Sequence, residues 1–197
     1  FSKGYGKFDN LIIGNSSRPF DQITWTTDYR NYSGSFGCIQ LENINGSKRF
    51  LTFHSGQIKI NNFSFTFAES ILFTGPNRSF EMQFMNPVIF WIPEMVNNST
   101  GDGNGMLYGG MKYTFKSISL WSELLIDDYI LVINDWGGSP EPNSIGYSFG
   151  LETNGKSGNT LNVIFEYTAI RNRTYQALKY EEIYTHRGFP VGHYLGN

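Results

Sequence analysis

Apolar and polar residues alternate along most of this 197-residue chain, and that period of two constrains the fold more than any other feature. Phe63, Phe65 and Phe67 alternate with polar neighbours, as do Tyr147, Phe149 and Leu151, and then Leu161, Val163, Phe165 and Tyr167. Successive side chains of a strand point to opposite faces, so such runs read as strands with one buried face. The phase of the pattern changes at Asn61–Asn62 and again at Ser117. A one-residue slip would turn the apolar set outward, so a bulge or strand break is expected at each place. Further strands are expected at Phe36–Glu42, Arg49–His54, Glu81–Phe84, Val88–Ile92 and Tyr129–Asn134. Turn chemistry separates the runs at Asn45-Gly46, Gly75-Pro76, Gly101–Gly105, Gly137–Pro140 and Asn154-Gly155. Short strands at this spacing predict an all-β, antiparallel β-sandwich with a jelly-roll-like plan. The one helical candidate is at the end, capped by Thr174 and running over about Tyr175–Arg187 to Gly188, although Glu182–Thr185 also fits a strand.

Composition narrows the class. Charged residues make up 16 %, against about 25 % in an average soluble domain. Aromatics reach 17 %, which excludes a disordered chain. Fifteen Lys and Arg face 17 Asp and Glu, so nucleic acid is not an expected partner. No apolar run reaches the roughly 20 residues of a membrane helix, and no membrane insertion is expected. A start at Phe1 without a charged-then-apolar leader suggests a fragment. Cys38 stands alone, which excludes an intrachain disulfide and suits a small buried hydrophobe. Eight Asn-x-Ser/Thr triplets occur, and without a leader they read as Asn- and Ser-rich turns rather than glycan acceptors.

Catalytic constellations are sparse. His186 and His193 sit seven apart without an acidic partner in metal-ligand spacing, and no cofactor is implied. No Gly-x-Ser-x-Gly elbow occurs. Asp127–Asp128 beside Glu123 reads as a solvated turn, and Trp136 as a buried strand-end residue. A glycan hydrolase needs two carboxylates facing one groove, and no such pair can be placed. The chain is therefore expected not to be an enzyme. Asp28-Tyr29-Arg30-Asn31-Tyr32-Ser33, rich in Tyr and Arg, fits a recognition loop or a covered core edge equally well.

The N-terminus differs from the rest. Gly4, Gly6 and Gly14 bracket Phe8-Asp9-Asn10-Leu11-Ile12-Ile13, an apolar unit too short to bury its own face. This run, with Asn15 and the later Trp25-Thr26-Thr27, resembles the end of the shaft and the shaft-to-head junction of the adenovirus fibre protein. Cys38–Leu41, Ser47–Phe53, Gly56–Ile58, Ser144–Phe149 and Val163–Tyr167 follow in an order similar to that family's head strands. A Pro-rich stretch before the Cys is absent, and about 27 residues follow Ile170.

The resemblance implies a shaft end over residues 1–22, a β-sandwich head over 23–170 and an extension over 171–197. It implies a homotrimer on the virion surface, made in the host cytoplasm and assembled in the nucleus. The missing N-terminal part would bind the penton base. The head would attach the virion to a host receptor, either a protein or a sialylated or other glycan. The alternative is a bacteriophage tail-fibre tip binding a surface polysaccharide. On either reading the contacts are expected in three loops. They are Asp28, Tyr29, Arg30 and Tyr32 after the junction, Asp102 and Asn104 in the glycine loop, and Asn154 and Lys156 late in the chain.

Overall fold

The computed structural model describes residues 4–97, 103–128, 144–153 and 162–196. Eight strands follow one another: β1 Asp21–Tyr29, β2 Tyr32–Gln40, β3 Lys48–Ile60, β4 Phe63–Gly75, β5 Gly103–Phe115, β6 Ile118–Asp128, β7 Ser144–Thr153 and β8 Val163–Ile170. They form one sheet in sequence order, each antiparallel to the next. The all-β, antiparallel expectation therefore holds. The two facing sheets of a sandwich are not seen among the described residues. The sheet is open, with β1 and β8 as its edges, and β1 is exposed along its whole length.

Both phase changes in the sequence mark strand breaks. Asn61–Asn62 is the turn between β3 and β4, and Lys116–Ser117 the turn between β5 and β6. A third two-residue turn, Arg30–Asn31, joins β1 to β2. The first residue of each turn is left-handed, with φ of 54° at Arg30, 52° at Asn61 and 54° at Lys116. At the opposite end of the sheet the connections are longer: 41–47, 76–102 and 129–143. Three of the four connections at one end are thus two-residue turns, the fourth being 154–162, and the other end is broad.

One face of the sheet, the inner face, is covered by the two ends of the described chain. The strap before β1 lays Leu11, Ile12 and Ile13 against Ile39, Leu51 and Leu72. Tyr175, Tyr184 and Val191 of the tail complete this core. Strap and tail meet where Gly14 N–H donates to Val191 O at 2.7 Å. A Cβ at Gly14 would sit 2.2 Å from Gly192 O, so only glycine allows this approach. The N-terminal glycine-bounded unit is therefore a strap packed on its own sheet, not the stump of a shaft.

A second, smaller core lies on the outer face near the broad end. Phe50, Ile71 and Phe73 pack there against Phe84 and Trp91. Phe84 comes from a 3-10 turn at Met82–Met85, and Trp91 opens the short helix α1, Trp91–Asn97. These elements replace the strands expected at Glu81–Phe84 and Val88–Ile92. Both runs are apolar enough for a strand, but they join β4 to β5, which are already paired on both sides.

The expected C-terminal helix is also absent. Arg173 (φ 75°) and Tyr175 (φ 72°) are left-handed, which breaks a helix at its start. Burial decides this conformation. Tyr175 N–H donates to Asp127 Oδ2, and its hydroxyl to Leu11 O. A 3-10 turn at Tyr180–Glu182 follows, then a hairpin of β9 Thr185–His186 and β10 Phe189–Pro190. Asn104, expected in a glycine loop, lies in β5 opposite Leu72 and is buried.

Candidate functional site

The sheet is apolar on its uncovered face as well as on the covered one. Along β6, Ile118, Leu120 and Leu124 point outward while Ser119, Trp121, Glu123 and Leu125 point inward. Phe63, Phe65 and Phe67 of β4 share that outer face, with Phe149 of β7 and Phe165 and Tyr167 of β8. Leu124 is 43 % exposed, Phe149 46 % and Phe165 58 %. Aromatic pairs tile this surface, with Phe63 and Tyr113 centred 4.7 Å apart and Phe149 and Tyr167 5.2 Å apart. A water-soluble sheet shows the opposite arrangement, with its apolar face covered and its polar face wet.

The inner face carries the polar groups and holds the strap with them. Tyr5 shares a hydrogen bond with Thr66 Oγ1 at 2.8 Å, and Gln57 Nε2 donates to the same oxygen at 3.0 Å. Buried Glu123 accepts the Tyr108 hydroxyl at 2.6 Å and the N–H groups of Tyr5 and Gly6. Lys7 pairs with Glu152 at 2.8 Å, and its N–H donates to Glu166 at 2.7 Å. The strands thus present carboxylates inward at positions where a solvent-facing sheet would present them outward.

Two polar clefts flank Phe20 at the broad end. One of about 310 Å³ is lined by Asn15, Ser17, Arg18 and Gln22 among others. The other, of about 440 Å³, is lined by Asp21, Gln40, Glu42, Asn43, His186 and Arg187 with Pro19, Phe20 and Leu41. The Arg18 guanidinium stacks 4.2 Å from the Phe189 ring centre. His186 bridges the walls: Glu42 N–H donates to its Nδ1 at 3.0 Å, and its Nε2 donates to Pro19 O at 3.2 Å. Burial holds the His186 imidazole below the usual histidine value, against the pull of its bond to Pro19. The clefts offer amide, guanidinium and carboxylate groups beside aromatic faces, the set that binds sugar hydroxyls and ring faces. Among the described residues no cluster of three or more His, Cys, Asp or Glu could hold a metal ion.

The sequence-expected loop residues lie elsewhere. Asp28, Tyr29, Arg30 and Tyr32 form the tight β1–β2 hairpin at the opposite end, with Arg30 5.1 Å over the Tyr29 ring. Asn104 is buried in β5. Asp102, Asn154 and Lys156 lie outside the described residues, as do Trp136 and the strand expected at Tyr129–Asn134. The cleft residues went unnoticed because they come from positions 15–22, 40–43 and 186–187, which only the fold brings together.

A family model described as capsule assembly protein Wzi matches residues 4–197. Comparison with curated proteins and with solved structures gives no match. The family match overturns the resemblance to the adenovirus fibre. With it go the receptor-binding head, the homotrimer, the penton-base and host-receptor partners, the virion location and nuclear assembly, and the tail-fibre alternative. The physical reason is that the resembling residues mark ordinary strand features. Trp25-Thr26-Thr27 lies inside β1, and Cys38 is a buried residue of β2. Any antiparallel meander repeats such features. With a match over nearly its whole length, the chain belongs to the capsule assembly protein Wzi family.

Proposed function

We propose that this chain forms part of a β wall in a bacterial outer membrane and holds capsule polysaccharide at its broad end, without turning it over. The observation that carries the reading is an exposed apolar face opposite a covered face that buries Arg49, Ser70 and Glu123 beside its core. In a bilayer the apolar face meets lipid, and strands alternate apolar-out and polar-in. From Ile118 to Ile126, β6 covers eight steps of about 3.4 Å, or about 27 Å, which at a tilt of about 40° rises about 20 Å through the apolar band of about 25 Å in outer-membrane barrels. No described helix is long and apolar enough to cross a membrane, which does not bear on crossing by strands. This reading reverses the expectation of no membrane insertion.

Unpaired strand edges are not tolerated in lipid, so β1 and β8 would pair with further strands of a closed wall. Outer-membrane barrels keep short turns on the periplasmic side and long loops outside. By that rule the turns at Arg30–Asn31, Asn61–Asn62 and Lys116–Ser117 face inward to the cell, and the clefts around Phe20 face out, toward the capsule. The family's name supports the choice of polymer.

The test has two arms. Cell envelopes are washed with alkaline carbonate, and the protein is expected to stay in the membrane pellet. Purified protein is then titrated with capsule polysaccharide, and Arg18→Ala and Gln22→Ala are expected to weaken binding. Release by carbonate would sink the membrane reading, and unchanged binding in both variants would sink the cleft assignment.

A further inference from the structure

One groove on the outer face is built differently from the rest of it. In register order, Trp25, Phe36, His54 and Glu69 form one row across β1 to β4, and Thr27, Gly34, Gly56 and Phe67 form the next. Two adjacent glycines thus open the floor of the outer face between bulky neighbours. The chain at Pro87–Phe90 arches over this floor and closes a groove of about 460 Å³. Trp25 stacks on Phe36 at 5.5 Å, and Phe67 meets Phe90 edge-on at 5.8 Å.

The arch is held rigidly. Buried Glu69 accepts Trp91 N–H at 2.9 Å and Ile92 N–H at 2.7 Å. His54 Nε2 lies 3.0 Å from Glu69, its Nδ1 donates to Pro87 O at 3.0 Å, and its ring stacks on Trp91 at 4.1 Å. The arch nevertheless points apolar side chains outward, with Val88 87 % and Phe90 60 % exposed.

We propose that this groove binds an acyl chain of an outer-membrane lipid. The proposal rests on the membrane reading, because the groove is continuous with the face assigned to lipid. Its lining selects the occupant. Apart from Thr26, Thr27, Ser35 and Ser55, its polar side chain is His54, whose ring nitrogens are both engaged, so a peptide or sugar would find few partners for its polar groups. A hydrocarbon chain has none to satisfy, and it covers the backbone that the two glycines leave bare. The volume falls within the range of about 300–1,000 Å³ typical of ligand sites.

The experiment uses the full-length protein extracted from its membrane. A Cβ at Gly56 meets nothing within 4 Å, so Gly56→Phe fills the groove without a backbone clash. Val88→Asp places a charge on the arch at an exposed position and serves as a second variant. Bound phospholipid is counted by native mass spectrometry. The protein is then reconstituted into phosphatidylethanolamine vesicles with brominated acyl chains, and the quenching of Trp25 is read as the difference between wild type and Trp25→Phe.

A retained phospholipid and strong Trp25 quenching, both lost in the two variants, are expected. Protein that integrates into vesicles but retains no lipid, or retains as much in both variants, overturns the groove and leaves the membrane reading standing. So does loss of quenching accompanied by self-association through this face. Protein that never integrates overturns both.

Discussion

The two faces of the sheet are made from the same strands, yet they solve opposite problems. The inner face buries Arg49, Glu123 and Glu69's neighbour Ser70 among aromatic and aliphatic side chains, and it covers them with strap and tail. The outer face leaves Phe65, Leu120, Phe149 and Phe165 bare and is covered where Phe84, the arch at Pro87–Phe90 and Trp91 cross it. The difference shows that alternation alone does not tell which face is the core. It tells only that the two faces have different solvents.

The largest effect is expected on the inner face, at Arg49. Its guanidinium is fully buried and donates to Glu181 O at 2.7 Å, to Thr185 O at 3.0 Å and to Ile183 O. Arg49→Ala would leave three part-buried carbonyls without a donor and is expected to cost about 3 kcal/mol. Thermal unfolding in detergent measures it, and a loss under about 1 kcal/mol would mean the tail does not depend on this anchor.

An outer-face substitution sharpens the comparison next. Phe149→Arg, mid-strand, is expected to cost about 2–4 kcal/mol of stability in a bilayer. Folding titrations into vesicles measure this, and a neutral or improved result would mean the face meets water. Glu69→Gln tests the boundary between bare and covered outer face. It removes one acceptor from the Trp91 and Ile92 N–H groups and is expected to cost about 1–2 kcal/mol. Faster amide exchange at those two residues is the readout, and unchanged exchange would show that the arch stands without its carboxylate.

The smallest effect is a pH dependence of the inner packing. Burial holds the His186 and His193 imidazoles below their usual value, so the folded state favours their neutral forms. The associated stability is fully present above the unfolded value of about 6.5 and is lost as pH falls below it toward the lowered folded values. Protonating His186 at Nδ1 would also break its bond from Glu42 N–H. Melting temperature should therefore fall between about pH 6.5 and 5, less so in His186→Gln; an equal fall in both would assign it to His193 or to carboxylates.

Much of the sheet was legible in the sequence. The phase changes at Asn61–Asn62 and Ser117 marked two places where the alternation breaks, and each is a hairpin turn rather than a bulge. The segment 81–92 misled because its apolar residues serve two surfaces, with Phe84 and Trp91 turned to the sheet and Val88 and Phe90 turned away. The tail misled because its helical spacing yields to the buried hydroxyl of Tyr175. The candidate clefts could not be read at all. Arg18 and His186 come within one neighbourhood only after eight strands have folded between them. The reversal of faces was also hidden, since Phe63-x-Phe65-x-Phe67 reads the same whether the rings meet a core or a bilayer.

Asp9 ties the two ends of the chain into one knot of bonds. Its carboxylate accepts from the N–H groups of Asn10 and Asn15 and from the Ser16 hydroxyl, and then from Tyr194 N–H, 185 positions away. The strap therefore cannot take its final place until Tyr194 has been made and delivered. Contacts so distant in sequence form late and slowly. On that ground the closing of this seal is expected to follow the assembly of the strands it covers.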